Sequence, residues 1–241
     1  MDFMKKFKKI LIWLVSIIVI ILIAAGAYLH FSVYQPSSSA NQAVKIAQQD
    51  SRETVFKAKD SKLTVVFYPG ALVSPNSYSI WAKKVATAGY TVKIAHFPLN
   101  MALFKTKAAD QLVKANEKYV VGGHSLGGAM AARYANQSKN KNLQGVFFLG
   151  AYPDEKGRLD NKDLAVLSIT ASRDGVLNWQ KYRTGKKYLP TNTTYESIAG
   201  GNHGSFGSYG HQKGDKKATI SNAKQQEIIA NDLIKWLKKI R

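Results

Sequence analysis

The chain has 241 residues, 45% of them hydrophobic, with 35 basic and 15 acidic side chains and a formal net charge of +20. That length holds one domain with a sizeable core beside an apolar N-terminal stretch, and two domains would be crowded. There is no cysteine, which excludes disulfides, thiolate zinc sites and a cysteine nucleophile.

The N-terminus opens with Lys5, Lys6, Lys8 and Lys9, and residues 10–29 then carry no charge over 20 positions. As a helix that run is about 30 Å long, the thickness of a bilayer's apolar core. Lysines before the span predict a cytoplasmic N-terminus and an extracytoplasmic remainder. The alternative is a cleaved signal peptide, because Ala25-Gly26-Ala27 has the small-x-small form. The run is long for that, and Tyr28 and Tyr34 suit an interfacial belt. Residues 1–34 therefore read as a basic stub and transmembrane anchor at the cell membrane. Residues 35–53, opening on "QPSSS", read as linker and lead-in. With the four lysines and Asp2 set aside, 31 basic residues still outnumber 14 acidic ones, so the bias belongs to the domain. Scattered basic residues fit a solvated surface. The sharper reading is attraction to lipid headgroups or an anionic cell-surface polymer. No nucleic-acid motif accompanies the charge, and none is expected outside the cell.

"NQAVKIAQQ" (41–49) is a short helix or a strand-leading segment, and "ETVFKAK" (53–59) an edge strand. "KLTVVFYPG" is a buried strand stopped by Pro69-Gly70. "NSYSIWAKKVATAG" has helical spacing, with Gly89 as its cap. "YTVKIAHF" is the next strand, "KAADQLVKANE" a short helix, "KYVVGGH" a strand and "LGGAMAARYANQS" an alanine-rich helix. "LQGVFFLG", "LAVLSITAS" and "TTYESIAG" are three further strands. "SNAKQQEIIANDLIKWLKKIR" closes as a helix with Ile229, Leu233, Trp236, Leu237 and Ile240 on one face. Alternation of continuous apolar strands with helices predicts an α/β sandwich around a mostly parallel sheet.

In such a sheet, reactive groups gather at the carboxyl ends of strands. Gly123-His124-Ser125-Leu126-Gly127 is G-x-S-x-G, placed after a strand and before a helix, where a sharp turn exposes a nucleophilic serine. Glycine at 123 and 127 avoids collision with neighbouring backbone. A plain glycine-rich turn is the bland alternative. A serine hydroxyl needs a base, and the base a carboxylate. The histidines are His30, His96, His124, His203 and His211. His30 is at the membrane end, His96 reads as structural, and the side chain of His124 diverges from its neighbour's. His203, in the loop after the last strand, is the predicted base, with His211 as the alternative. Asp174, in "SRDG" at the end of the preceding strand, is the predicted carboxylate; an Asp-Gly turn is its bland alternative.

The order Ser125, Asp174, His203 with "FYPGALVSPNSYSIWAKKVATAGYTV", "GGHSLGGAMAARYA", "SRDG" and "GGNHGSFGSYGHQKGD" resembles the α/β-hydrolase superfamily over residues 54–241. It looks like a branch of small, often membrane-anchored bacterial hydrolases. The resemblance implies an oxyanion hole from the N–H of Leu126 and that of Ala71, with Leu72 as runner-up. Pro69-Gly70 replaces the usual His-Gly of that loop. About thirteen residues after Gly150 leave no room for a helical lid, which implies an open site for small acyl esters or a polymer end. Trp179 and Tyr182 either flank it or pack a helix. The implied activity is that of a serine esterase. An acyltransferase and an idle hydrolase fold binding anionic polymer or lipid are the alternatives. No cofactor and no metal is implied.

Overall fold

The computed structural model describes residues 2–240; the side chains of Asp2, Phe3, Lys5 and His30 lie outside the described residues. The chain divides into two compact units, Met1–Val33 and Tyr34–Arg241. The first is one helix, α1 (Asp2–Phe31). Its Lys6–Leu29 stretch is long and apolar enough to cross a membrane. Ile10, Leu11, Ile12, Trp13 and Leu14 are all exposed, and consecutive residues circle the helix, so the apolar surface is not one stripe awaiting a core.

The second unit is built on one eight-stranded sheet. Its strands are β1 (Gln48–Gln49), β2 (Glu53–Phe56), β3 (Thr64–Tyr68), β4 (Thr91–Ala95), β5 (Tyr119–His124), β6 (Leu143–Leu149), β7 (Ala165–Ala171) and β8 (Thr194–Ile198). They lie in the order β1-β2-β4-β3-β5-β6-β7-β8. The β1/β2 and β2/β4 pairs are antiparallel, and the others are parallel. The helices are α2 (Ser38–Val44), α3 (Ser79–Thr87), α4 (Ala109–Leu112), α5 (Leu126–Gln137), α6 (Trp179–Gly185) and α7 (Asn222–Leu237).

Side chains alternate across β3. Val65 and Phe67 enter the core under α3 and α7, with Trp81, Ile229 and Leu233. Val66 and Tyr68 enter the opposite core under α5, with Met130, Ala131 and Tyr134. Both faces are covered, which is why these strands are continuously apolar.

One expectation is corrected. The "ETVFKAK" strand, β2, is not the edge strand, because the two-residue β1 pairs outside it. The 35–53 stretch, read as linker and lead-in, is grouped with the second unit. Ser37 caps α2 by accepting from the Ala40 N–H, and Ala40 and Val44 are buried. Tyr34 also belongs to this unit, where it packs on Tyr209 with ring centroids 5.3 Å apart.

Candidate active site

The parallel strands β5, β6, β7 and β8 end on one side of the sheet, and the loops that follow β5, β7 and β8 carry Ser125, Asp174 and His203. Ser125 occupies the single position between β5 and α5, with φ 52° and ψ −122°. A non-glycine residue reaches that region only where its surroundings over-determine it. Here the Ser125 N–H donates to the Leu149 carbonyl at 3.1 Å, while its own carbonyl accepts from Gly128 at 3.1 Å. The flanking glycines make room. A Cβ on Gly123 would lie 2.4 Å from the Gly127 carbonyl carbon, and one on Gly127 would lie 2.1 Å from the Tyr68 carbonyl oxygen. Both obstacles are backbone. Gly122 and Gly128 serve packing instead: a Cβ would strike the Phe147 ring or the Ala151 methyl.

Asp174 and His203 are each 1% exposed. Asp174 Oδ1 accepts from the N–H groups of Val176 and Leu177, at 2.9 and 2.7 Å, which fixes the carboxylate plane. Its Oδ2 lies 2.7 Å from His203 Nδ1. An ionised carboxylate only accepts, so His203 Nδ1 carries a proton and donates, and in the neutral imidazole the free lone pair is then on Nε2. Nε2 is buried and has no hydrogen-bond partner among the described residues. Ser125 and His203 line the same cavity of about 280 Å³, together with Leu126, Gly150, Tyr152 and Leu177.

Leu126 lines that cavity and Ala71 does not. Around Ala71, the Gly70 N–H donates to Tyr78 Oη at 2.9 Å and the Leu72 N–H to the Asn100 carbonyl at 2.9 Å. Of these three, only Ala71 keeps its N–H without an acceptor among the described residues. Trp179 and Tyr182 do not line the cavity either. Trp179 Nε1 donates to the Asp174 carbonyl at 3.1 Å, and the Tyr182 hydroxyl lies 3.2 Å from Ser168 Oγ. Between β6 and β7 the segment carries one 3-10 turn, Glu155–Gly157, tied back to α5 by the Arg133–Asp154 ion pair. Among the described residues, no three His, Asp or Glu side chains are placed to hold a metal ion.

The other histidines stand elsewhere. His96 Nε2 is 2.9 Å from Thr54 Oγ1, and His211 is exposed. His124 points away from Ser125's cavity: its Nδ1 lies 2.9 Å from Tyr78 Oη, and its ring centroid is 4.4 Å from that of His203. Sequence reasoning missed this histidine–tyrosine pair and a third residue, Asp215. The Asp215 carboxylate accepts from Gly175 at 3.0 Å and from Gly204 at 2.8 Å, the residues just after Asp174 and His203.

The sequence model of the Alpha/beta hydrolase family matches residues 64–227. The chain belongs to that family. No curated protein sequence matches it. Solved α/β hydrolases share its fold at low identity. The esterase domain of a Rhodothermus marinus protein is 14% identical, with a TM-score of 0.60 over 78% of this chain and 92% of that one. Dienelactone hydrolase from Anabaena variabilis is 15% identical, with a TM-score of 0.61 over 81% and 99%. A soluble variant of monoglyceride lipase from Saccharomyces cerevisiae is 10% identical, with a TM-score of 0.59 over 80% and 94%. What these likenesses show for this hydrolase is the fold.

Proposed function

We propose that this hydrolase is a serine esterase, anchored through α1 with its catalytic unit on the outer face of the membrane. One observation carries the reading. A serine in strained elbow geometry shares a cavity with a histidine whose far nitrogen is engaged by a buried aspartate. Ser125 Oγ attacks the ester carbonyl while His203 Nε2 takes its proton. Asp174 holds the imidazole in the Nδ1–H tautomer and steadies the imidazolium. The tetrahedral oxyanion takes the N–H of Leu126 at the start of α5 and the N–H of Ala71, each donor lowering the barrier by roughly 3 kcal/mol. Collapse expels the alcohol, protonated by His203, and leaves an acyl-serine. Water activated by the same imidazole then releases the acid.

The neighbours named as an esterase, a dienelactone hydrolase and a monoglyceride lipase support ester substrates. The lysines ahead of the span support the orientation. A cavity of about 280 Å³ suits a short acyl group. The test is turnover of a short-chain nitrophenyl ester. His203→Ala should lower kcat by roughly 10⁴-fold or more while His211→Ala leaves it unchanged. Full activity in His203→Ala would remove the base from the mechanism.

A further inference from the structure

Among the described residues of the Tyr34–Arg241 unit, five large hydrophobic side chains are exposed: Ile46, Leu99, Leu103, Phe104 and Tyr195. Three of them fall within six residues, on the segment after β4, at 47%, 43% and 54% exposure. Scattered exposed apolar residues need no explanation, but a cluster does. This one is displayed by a well-braced segment. Leu99 has φ 53° and Asn100 φ 52°, a region leucine rarely adopts. The Asn100 carbonyl accepts from Leu72, the Thr106 carbonyl accepts from the Tyr68 hydroxyl at 2.8 Å, and Ala102 is buried beneath the turn. Lys105 and Lys107 follow at once. Apolar side chains beside lysines are the composition of a segment that lies in a membrane interface.

Its place in the fold matters as much. Asn100 braces the loop that carries Ala71, and the Ala102–Lys105 turn packs on α5, whose Leu126 and Ala129 line the catalytic cavity. The chain also enters the domain here. The Tyr34 N–H donates to the Leu72 carbonyl at 2.7 Å, and Tyr34 bridges to Val73. The membrane-competent helix ends at Phe31, three residues earlier. Three residues reach at most about 10 Å. So short a tether keeps the domain close to any surface that α1 enters.

We propose that Leu99, Leu103 and Phe104 seat in the outer leaflet of an anionic bilayer, with Lys105 and Lys107 on its headgroups. The catalytic rim then meets esters at the lipid surface. The proposal rests on the retained, outward-facing anchor. The domain's excess of basic residues complements an anionic leaflet.

The chain has no cysteine, so an introduced one is unique. Full-length Leu103→Cys, carrying an environment-sensitive fluorophore, is reconstituted in vesicles of phosphatidylglycerol and phosphatidylcholine. Its emission should shift to the blue relative to the same label at Lys139→Cys, and lipids spin-labelled near the headgroup should quench it several-fold more. A label at Ser16→Cys reports the anchor separately. Quenching at Ser16 with a water-exposed label at Leu103 overturns the proposal and leaves the anchor standing. A shielded Leu103 label that no lipid quenches means protein covers the loop, which also overturns it. In a second measurement, Leu103→Ser with Phe104→Ser should slow hydrolysis of a vesicle-borne ester several-fold and leave a soluble short-chain ester unaffected. Equal rates on both esters would contradict the proposal. Equal loss on both would also contradict it, while a parent protein that turns over neither ester would overturn the esterase reading itself.

Discussion

An alanine at position 127 would set its methyl 2.1 Å from the Tyr68 carbonyl oxygen, on a strand that cannot retreat without breaking the sheet. Gly127→Ala should therefore cost about 3 kcal/mol, the upper end for overpacking, and deform the turn that presents Ser125. Chemical unfolding read together with ester turnover checks this; a variant that is both stable and active would refute the elbow's tight fit. His124 has a different sensitivity. Its Nδ1 shares a hydrogen bond of 2.9 Å with Tyr78 Oη, which also accepts from the Gly70 N–H. Burial, and then the neighbouring His203, hold its pKa well below the 6.5 of a free histidine. In the unfolded chain His124 takes up a proton that the fold refuses. Its contribution to stability is thus complete above about pH 6.5 and declines as pH falls below that value. His96, lowered by burial, acts with the same sign. Melting temperature should fall between about pH 7 and pH 5.5, and His124→Gln should flatten the slope. An unchanged slope would show that His124 is not the titrating group.

At the scale of elements, the site is two loops held by a third. The segment around Asp215 crosses behind the loops after β7 and β8 and accepts one N–H from each. Asp215→Ala leaves both N–H groups unpaired and should cost on the order of 2 kcal/mol. It should also lower kcat more than it raises KM, because it loosens Asp174 and His203 rather than the cavity wall. Steady-state kinetics beside a thermal melt separate these effects, and a purely KM effect would count against the strap. The same elements show what is legible in a sequence. β3, β5 and β6 announce themselves because both faces are buried and each carries a run of apolar residues, VVFY, YVV and VFFL. Ser125 is legible because the elbow is a local turn with local glycines, and Asp174 and His203 because each follows a strand. Asp215 is not, since its bond to Gly175 joins loops 40 residues apart, with no periodicity to mark it. Nor is the place of residues 35–53: α2 offers only Ala40 and Val44 to the core, and β1 is too short to alternate. Tyr78 reads as one more apolar helix position, whereas its hydroxyl is what joins Gly70 to His124.

At the scale of the whole molecule, a helix able to cross a membrane precedes a basic catalytic unit. The proposed orientation, with the lysines ahead of the helix on the cytoplasmic side, has a direct test. In intact cells, Lys139→Cys should react with a membrane-impermeant maleimide, and reaction only after lysis would reverse the orientation. The central claim, that the chain acts through an acyl-enzyme on Ser125, has a direct measurement in a fluorophosphonate probe followed by peptide mapping. The account predicts a single adduct on the peptide bearing Ser125, absent in Ser125→Ala and much slowed in His203→Ala. No adduct on the folded parent protein, or one that persists in Ser125→Ala, would contradict it.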